Sequence, residues 1–185
     1  VNVSAMSLGS LSAAAVEALN RGCQLAGCLH NTGEGGISRH HAHGGELIWQ
    51  IGTGYFACRD SRGNFSMDRL RETAQRHPQV KAIEFKLSQG AKPGAGGILP
   101  QAKISEESAE IRGISRDRDC ISPSAHTAFH CADSLLDFAE AIAETTGLPV
   151  GIKSAVGESE FWRDLAKLIA AGDRAVDIIT IDGGE

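Results

Sequence analysis

The chain has 185 residues, of which 42% are hydrophobic and 22% charged, and its formal net charge is −5. This length and composition indicate one globular domain with a sizeable core. The negative charge argues against a protein that binds nucleic acid through a basic surface, and the apolar runs are too short to cross a membrane. Five cysteines, an odd number without Cys-x-x-Cys spacing, indicate reduced thiols and a cytoplasmic protein.

Strand and helix patterns alternate along the chain. Serines that stand just before apolar residues at helical spacing predict helix starts. The predicted helices cover residues 13–25, 66–76, 105–112, 133–146 and 159–171. The predicted strands cover residues 3–6, 28–30, 80–86, 149–153 and the stretch from 176 to 182, with two further short strands in 47–58.

Repeated strand–helix units form a parallel sheet, and polar residues cluster at the C-terminal ends of most of the predicted strands. These residues are Ser7, Asn31, Lys86, Lys153 and Asp182. A site to which most strands contribute favours a barrel over a doubly wound sheet. We predict an α/β fold, a partial (β/α)8 TIM barrel with roughly the first five strand units, as a single incomplete domain over residues 1–185.

A complete barrel needs eight strands and about 250 residues. We therefore expect the chain to be a fragment, truncated at its C-terminal end. An open half-barrel has unpaired sheet edges, so we also expect it to self-associate.

The stretch from 84 to 100 carries the strongest functional signal. An apolar strand leads into Lys86, Gln89 and Lys92, within a loop of four glycines and two prolines. Glycines let backbone N–H groups approach a ligand, and lysines supply charge for an anion or an anionic cofactor. The alternative is a surface loop with solvated lysines.

Other polar clusters carry weaker signals. Glu34 lies among three glycines in residues 31–36, a pattern that suits ligand binding or a plain turn. The three histidines His40, His41 and His43 favour a flexible loop over a metal site, and no metal is predicted. For His126 a structural role is favoured over a place in the pocket.

Several short motifs follow one another along the chain: MSLGSLS (6–12), NTGEGG (31–36), IWQIGTGYF (48–56), KLSQGAKPG (86–94), IRG (111–113), ISP (121–123) and DGGE (182–185). Taken together in this order, they resemble the FMN-binding synthase domain of glutamate synthase. The resemblance extends over the whole chain, which makes it more specific than any single motif.

This resemblance implies a barrel that binds FMN at its C-terminal face. The implied reaction forms L-glutamate from 2-oxoglutarate and ammonia, with hydride delivered by reduced flavin to 2-iminoglutarate. The implied partner is an electron donor protein or an NAD(P)H-oxidising subunit.

The resemblance also implies which residues bind the cofactor. Lys86 and Gln89 would lie beside the isoalloxazine, and Lys153 near its N1–C2 edge, where a cation stabilises the anionic reduced flavin. The full implied set is Ser7, Gly9, Lys86, Gln89, Lys153, Asp182, Gly183 and Gly184.

Three residues match positions that hold 2-oxoglutarate in the family: Glu34, Lys92 and Arg112. Arg112 suits a carboxylate as a bidentate partner. Lys92 would hold the other carboxylate or polarise the keto group, and Glu34 would steer the imine nitrogen or relay a proton. The implied catalytic residues are Glu34, Lys86 and Lys92.

One departure affects the substrate. Ile98 stands where the large glutamate synthases carry a glutamine that contacts the keto acid, and its side chain forms no hydrogen bond. A related FMN barrel, such as an N-methylglutamate synthase component, therefore stays open, as does a non-catalytic scaffold subunit. The charged set favours an enzyme, because a scaffold needs none of those charges.

Two expectations concern cofactors bound by parts of the family's chain that follow the region matched here. The cysteines that bind the family's iron–sulfur cluster lie in those parts, so we expect no cluster ligands in this chain. A barrel binds phosphate after strands seven and eight, so we expect this chain alone to bind FMN weakly or not at all.

Overall fold

Six strands form one parallel sheet in the computed structural model, which describes residues 1–92 and 94–183. The sheet order is β1-β2-β3-β4-β7-β8, so its strands follow one another in chain order. These strands are β1 (Asn2–Val3), β2 (Leu29–Asn31), β3 (Leu47–Ile51), β4 (Val80–Lys86), β7 (Val150–Ser154) and β8 (Ile178–Ile181). A separate antiparallel pair consists of β5 (Ile98–Leu99) and β6 (Cys120–Ile121).

Five α-helices accompany the strands, and all five predicted helices are confirmed with ends shifted by only a residue or two. They are α1 (Ala13–Ala26), α2 (Met67–Arg76), α3 (Glu106–Arg112), α4 (Ala132–Thr146) and α5 (Ser159–Ala170). The side chains of Ser12, Ser66 and Ser105 accept first-turn N–H groups. These caps fix where α1, α2 and α3 begin.

The strand predictions need three corrections. The main sheet has six strands rather than about five, and β1 covers Asn2–Val3 rather than residues 3–6. Residues 47–58 contain one strand, not two, because the chain leaves the sheet after Ile51 in turns where Tyr55 and Ala57 have φ of 50° and 69°. The short pair β5–β6 was not predicted, since two apolar residues give too little periodicity.

The sheet has one apolar and one polar face. Alternate residues such as Trp49, Ile83, Phe85 and Ile152 join the core beneath the helices. Helix α4 packs on β7 and between α2 and α5. The residues of opposite parity, including Glu84, point to the other face, where polar side chains gather.

The connection from β4 to β7 makes an excursion over the carboxyl ends of the strands. It contains β5, α3 and β6, packed around a small apolar cluster of Leu99, Ile104 and Ala109. The Ser122 N–H donates to the Gly97 carbonyl at 2.9 Å, and the Thr53 hydroxyl donates to the Pro123 carbonyl at 2.6 Å. The excursion is thus tied to the loop after β3.

The α/β fold with a curled parallel sheet is confirmed, and its strand order is consistent with part of a barrel. All five cysteines are free thiols.

Among the helices described, none combines the length and apolarity that a membrane crossing requires.

Candidate functional site

Glu34 and Lys86 form an ion pair at the carboxyl end of β4. The Lys86 ammonium donates to Glu34 Oε1 at 2.9 Å and also to the Gln89 side-chain carbonyl. Glu34 fits closely between two glycines: an added Cβ would lie 2.3 Å from its Oε2 at Gly52 and 2.6 Å from its Oε1 at Gly97. The backbone therefore holds this carboxylate in place against Lys86.

A second ion pair lies beside the first. Lys153, the penultimate residue of β7, lies in direct register with Lys86 of β4, and its ammonium contacts Asp182 Oδ1 at 2.9 Å. The Gly90 N–H donates to Asp182 Oδ2 at 2.8 Å. Burial raises the pKa of Asp182, but the hydrogen bonds from Lys153 and Gly90 outweigh it and hold that pKa below its usual range. The Asp182 carboxylate is therefore ionised where it contacts the Lys153 ammonium.

Arg112 lies on the other side of Glu34. Its Nη2 donates to the Leu8 carbonyl at 3.3 Å, and its guanidinium lies 5.0 Å from the centroid of the Phe56 ring. Its buried Nε has no hydrogen-bond partner among the described residues. Burial lowers the pKa of Arg112, but a guanidinium stays protonated in proteins, so this donor is available to an anion.

The loop with Ser7 and Gly9 packs against the loop that carries Glu34. An added Cβ on Gly33 would lie 2.7 Å from the Ser7 backbone nitrogen, and one on Gly35 would lie 2.8 Å from Arg112 Nη2. Of the predicted residues, the structure thus brings together Ser7, Gly9, Glu34, Lys86, Gln89, Arg112, Lys153 and Asp182 at the strand ends.

Three other predicted site residues are not part of this group at the strand ends. Lys92 is half-buried, and its ammonium makes no ion pair or hydrogen bond with any residue in 1–92 or 94–183, so it is not joined to the Glu34–Lys86 pair. Gly183 lines a cavity beside Asp182. Gly184 lies outside the described residues.

That cavity measures about 800 Å³ and opens at the carboxyl ends of β4, β7 and β8. Its wall includes the side chains of Phe161 and Trp162 and the backbone of glycines. A cavity of this size with apolar walls and few polar groups suits a cofactor or drug-sized ligand. Its lining residues are Leu87, Ser88, Gly90, Gly94, Ser154, Ala155, Val156, Gly157, Glu158, Phe161, Trp162, Ile181, Asp182 and Gly183.

Sequence reasoning missed Glu84, a carboxylate that is 2% exposed on the polar face of the sheet. Its Oε2 accepts from Asn31 Nδ2 at 2.8 Å and from Gln50 Nε2 at 2.6 Å, and its Oε1 accepts from the Thr180 hydroxyl at 2.7 Å. The network joins strands β2, β3, β4 and β8 below the ion pairs. The available signal was a lone acidic residue inside an apolar strand.

His126 is buried, and its hydrogen-bond partners determine its tautomer. Its Nε2–H donates to the Lys86 carbonyl at 2.9 Å, so its Nδ1 accepts the Tyr55 hydroxyl at 3.1 Å. The Tyr55 oxygen in turn accepts the N–H groups of Thr127 and Ala128. Only the neutral imidazole satisfies this arrangement, and burial lowers the pKa of His126.

We expect this neutral histidine to make the fold less stable in mild acid. Below pH 6.5, the ordinary pKa of histidine, His126 becomes protonated in the unfolded chain but stays neutral in the folded protein. The free energy of unfolding therefore falls as the pH falls. Each pH unit in that window removes up to about 1.4 kcal/mol. The free energy of unfolding, measured in urea between about pH 7 and about pH 5, should fall less in His126→Gln than in the wild type. The exposed His130→Gln should follow the wild type, and an unchanged slope in His126→Gln would contradict the prediction.

The prediction of a flexible histidine loop is wrong. His40 and His41 form a 3-10 turn (Arg39–His41) and are only 7% and 0% exposed. Burial lowers the pKa of His41 to about 4. The pattern of polar letters hid this burial, because the partners of the histidines come from α1, α3 and the Ser7 loop.

The described residues define a parallel α/β protein with paired cations and carboxylates at its strand ends, where such sheets bind anionic ligands. A family model described as "Conserved region in glutamate synthase" matches residues 1–185. The chain belongs to the glutamate synthase family, as its motifs had indicated.

Curated relatives agree with this assignment. "Glutamate synthase large subunit-like protein YerD" of Bacillus subtilis (strain 168) is 42% identical over 187 residues, which covers 100% of this chain and 35% of that protein. "Archaeal-type glutamate synthase [NADPH]" of Thermotoga maritima is 35% identical, over 99% of this chain and 33% of that protein. "Glutamate synthase large subunit-like protein" of Rhizobium meliloti (strain 1021) is 31% identical, over 99% and 38%. The chain thus spans about a third of the length of these relatives.

Proposed function

We propose that the chain is part of an FMN-dependent oxidoreductase of glutamate-synthase type that forms L-glutamate by reductive amination of 2-oxoglutarate. Its fold would be completed to a (β/α)8 barrel by further chain. The observation that carries the proposal is the pair of lysines, Lys86 and Lys153, in register at two strand ends, each with its own carboxylate. Family membership supports it, since the relatives are named as glutamate synthases or as proteins like their large subunit.

The residues at the strand ends fit a flavin mononucleotide. The cavity of about 800 Å³ offers apolar walls for a ring system, and its lining residues Leu87 and Ser154 directly follow Lys86 and Lys153 in the chain. When bound, FMN would supply the hydride that reduces the imine of the keto acid. Lys86, Gln89 and Lys153 would bind its ring, and a cation there favours the reduced, anionic form. Ser7, Gly9, Asp182, Gly183 and Gly184 would complete the cofactor-binding set.

Arg112, Glu34 and Lys92 would bind the dicarboxylate. The unpartnered Nε of Arg112 and its neighbouring Nη groups form a face that matches a carboxylate. Glu34 contacts the Lys86 ammonium through its Oε1, and its carboxylate would orient the incoming amine or accept its proton. Lys92, with no partner among the described residues, would hold the second carboxylate or polarise the keto oxygen.

The proposed reaction is tested with the intact protein. It should be purified with flavin bound, be reduced without oxygen, and be mixed with 2-oxoglutarate and ammonia while the flavin absorbance is followed. Rapid reoxidation, with formation of L-glutamate, supports the proposal. Reoxidation with methylamine in preference to ammonia would instead support an N-methylglutamate synthase component. Ile98 leaves this outcome open, because it follows Gly97, which packs against Glu34, and its side chain offers the substrate no hydrogen bond. An intact protein that binds no flavin would be a scaffold.

The electron donor is a separate part of the proposal. We propose a donor protein or an NAD(P)H-oxidising subunit, because the described residues include no nicotinamide-binding fingerprint and NADPH appears in the name of the Thermotoga maritima relative. An iron–sulfur cluster would belong to another part of the protein.

For Lys92→Ala in the intact protein, we expect the KM for 2-oxoglutarate to rise at least about tenfold, because one charge-assisted hydrogen bond is lost. If Lys92 only binds the substrate, turnover at saturating substrate should fall by a smaller factor than kcat/KM. If Lys92 also polarises the keto oxygen, turnover and kcat/KM should fall by the same factor. Lys103→Ala, which removes an exposed lysine from the excursion, is the control. An unchanged KM and turnover in Lys92→Ala would remove Lys92 from the site.

A further inference from the structure

A cluster of two histidines and a glutamate lies on the outer side of α1, separate from the site at the strand ends. Glu17 belongs to α1, whereas His40 and His43 belong to the loop before β3. Their potential ligand atoms all lie within 4.8 Å of one another. His40 Nδ1 is 2.7 Å from Glu17 Oε1, and His43 Nε2 is 3.6 Å from the same oxygen. The proposed function uses none of these side chains.

We propose that Glu17, His40 and His43 bind a zinc ion. Two imidazoles and one carboxylate form a common zinc ligand set, with a fourth position for water. Ligands about 2.0–2.2 Å from a tetrahedral zinc lie about 3.3 Å apart. The separations of 2.7 and 3.6 Å from Glu17 Oε1 bracket that value, and the ligand nitrogens of the two histidines lie within 4.8 Å of each other, so side-chain rotations would bring all three atoms to that spacing. The Glu17 and His43 side chains are 33% and 26% exposed, which leaves a path for the ion and its water.

The surroundings of His40 match those of a zinc ligand. Its second nitrogen, Nε2, lies 3.0 Å from Glu107 Oε2, and Arg39 Nε holds Glu107 Oε1 at 3.0 Å. A carboxylate that accepts the far N–H of a ligating histidine fixes the ring and makes it a better donor. With zinc on Nδ1, the Nε2–H still donates to Glu107. The ion would take the place of the proton that His40 and Glu17 otherwise share.

The loop that carries both histidines is already fixed. Asn20, which is fully buried, accepts the His43 N–H at 2.8 Å and the Gly45 N–H at 3.1 Å. His41 accepts the Ser38 N–H at its Nδ1 and donates from Nε2 to the Met6 carbonyl, so it holds the turn and is not a ligand. Such anchoring reduces the entropy that zinc binding would cost.

One contact has to change. Arg21 Nη2 lies 3.5 Å from His43 Nδ1, where it can donate only if Nδ1 is unprotonated. Zinc on Nε2 leaves the proton on Nδ1, so Arg21 gives up this contact. The loss is small, because the contact is exposed and at the long limit of a hydrogen bond.

The test is zinc binding by the intact protein, measured in competition with a chromophoric chelator. We expect the wild type to bind one zinc ion more per chain than His43→Ala and Glu17→Gln, and His130→Ala, at an exposed position outside the cluster, to match the wild type. Glu107→Gln should keep the site but weaken it about 10–100-fold, as loss of an outer carboxylate does. Circular dichroism checks that each variant folds. Glu17 and His43, which are both partly exposed, are changed in separate variants so that the misfolding of one does not decide the result.

The ligand type gives a second readout. X-ray absorption at the zinc edge should show nitrogen and oxygen ligands at about 2.0–2.1 Å for the ion that the variants lose. Equal zinc stoichiometry and affinity in wild type, His43→Ala and Glu17→Gln would overturn the proposal. So would a lost ion with sulfur ligands, since the cluster contains no cysteine.

Discussion

Replacing Glu84 by leucine should destabilise the protein by about 3 kcal/mol or more. The leucine removes the only acceptor seen for two fully buried amides, Asn31 Nδ2 and Gln50 Nε2, in the described structure. Each buried donor left without a partner costs about 1–3 kcal/mol. Thr180 also loses its acceptor, but its side chain is only partly buried and can bond water. The free energy of unfolding in urea measures the effect.

Glutamine at position 84 separates hydrogen bonding from charge. Asn31 and Gln50 both donate to Oε2, whereas only the Thr180 hydroxyl faces Oε1. A glutamine can keep its carbonyl oxygen at the position of Oε2, where it accepts from Asn31 and Gln50. Its amide nitrogen then takes the position of Oε1 and donates to the Thr180 hydroxyl, because a hydroxyl can accept as well as donate. We therefore expect Glu84→Gln to cost within about 1 kcal/mol. A glutamine variant as unstable as the leucine variant would show that the charge, rather than the hydrogen bonds, matters.

Local signals predicted most of the fold. The serine caps and apolar spacing predicted all five helices, because a helix start depends on residues within one turn. Strand β4 was predicted with its observed bounds, because Val80, Ile83 and Phe85 favour a strand and no glycine or proline interrupts residues 80–86. The pair β5–β6 was missed because its pairing joins residues far apart in sequence, Ile98 with Ile121 and Leu99 with Cys120.

The site was predictable where it depends on strand ends and not where it depends on tertiary contacts. Lys86 and Lys153 lie in the last two residues of their strands and Asp182 directly follows β8, and the carboxyl ends of parallel strands meet on one edge. The network of Glu84 and the cluster around His40 each join residues at least 23 positions apart, so no local spacing reveals them. Whether Lys92 contacts the substrate stays a prediction.

In the proposed reaction, Gly52→Ala should lower the turnover of the intact protein about 100-fold while the protein stays folded. An added Cβ would lie 2.3 Å from Glu34 Oε2, so the carboxylate has to leave its place beside Lys86. A shift of about 1 Å in a catalytic group costs rates of this order. Steady-state glutamate formation measures the effect. Gly22→Ala, where an added Cβ meets nothing within 4 Å, is the control and should leave turnover unchanged.

The displaced residue can be identified by combining substitutions. The Glu34 Cβ would also lie 2.8 Å from the added Cβ at Gly52, so only glycine at position 34 removes the whole clash. If Gly52→Ala acts through Glu34, it should therefore have little further effect in a Glu34→Gly background. Gly97→Ala should behave in the same way, because its Cβ would press on the other oxygen of the same carboxylate. Additive losses in the double variants would mean that the glycines matter for another reason, such as the path of the loops. A 100-fold loss from Gly52→Ala that vanishes without Glu34 would establish that two glycines on separate loops hold one carboxylate against Lys86.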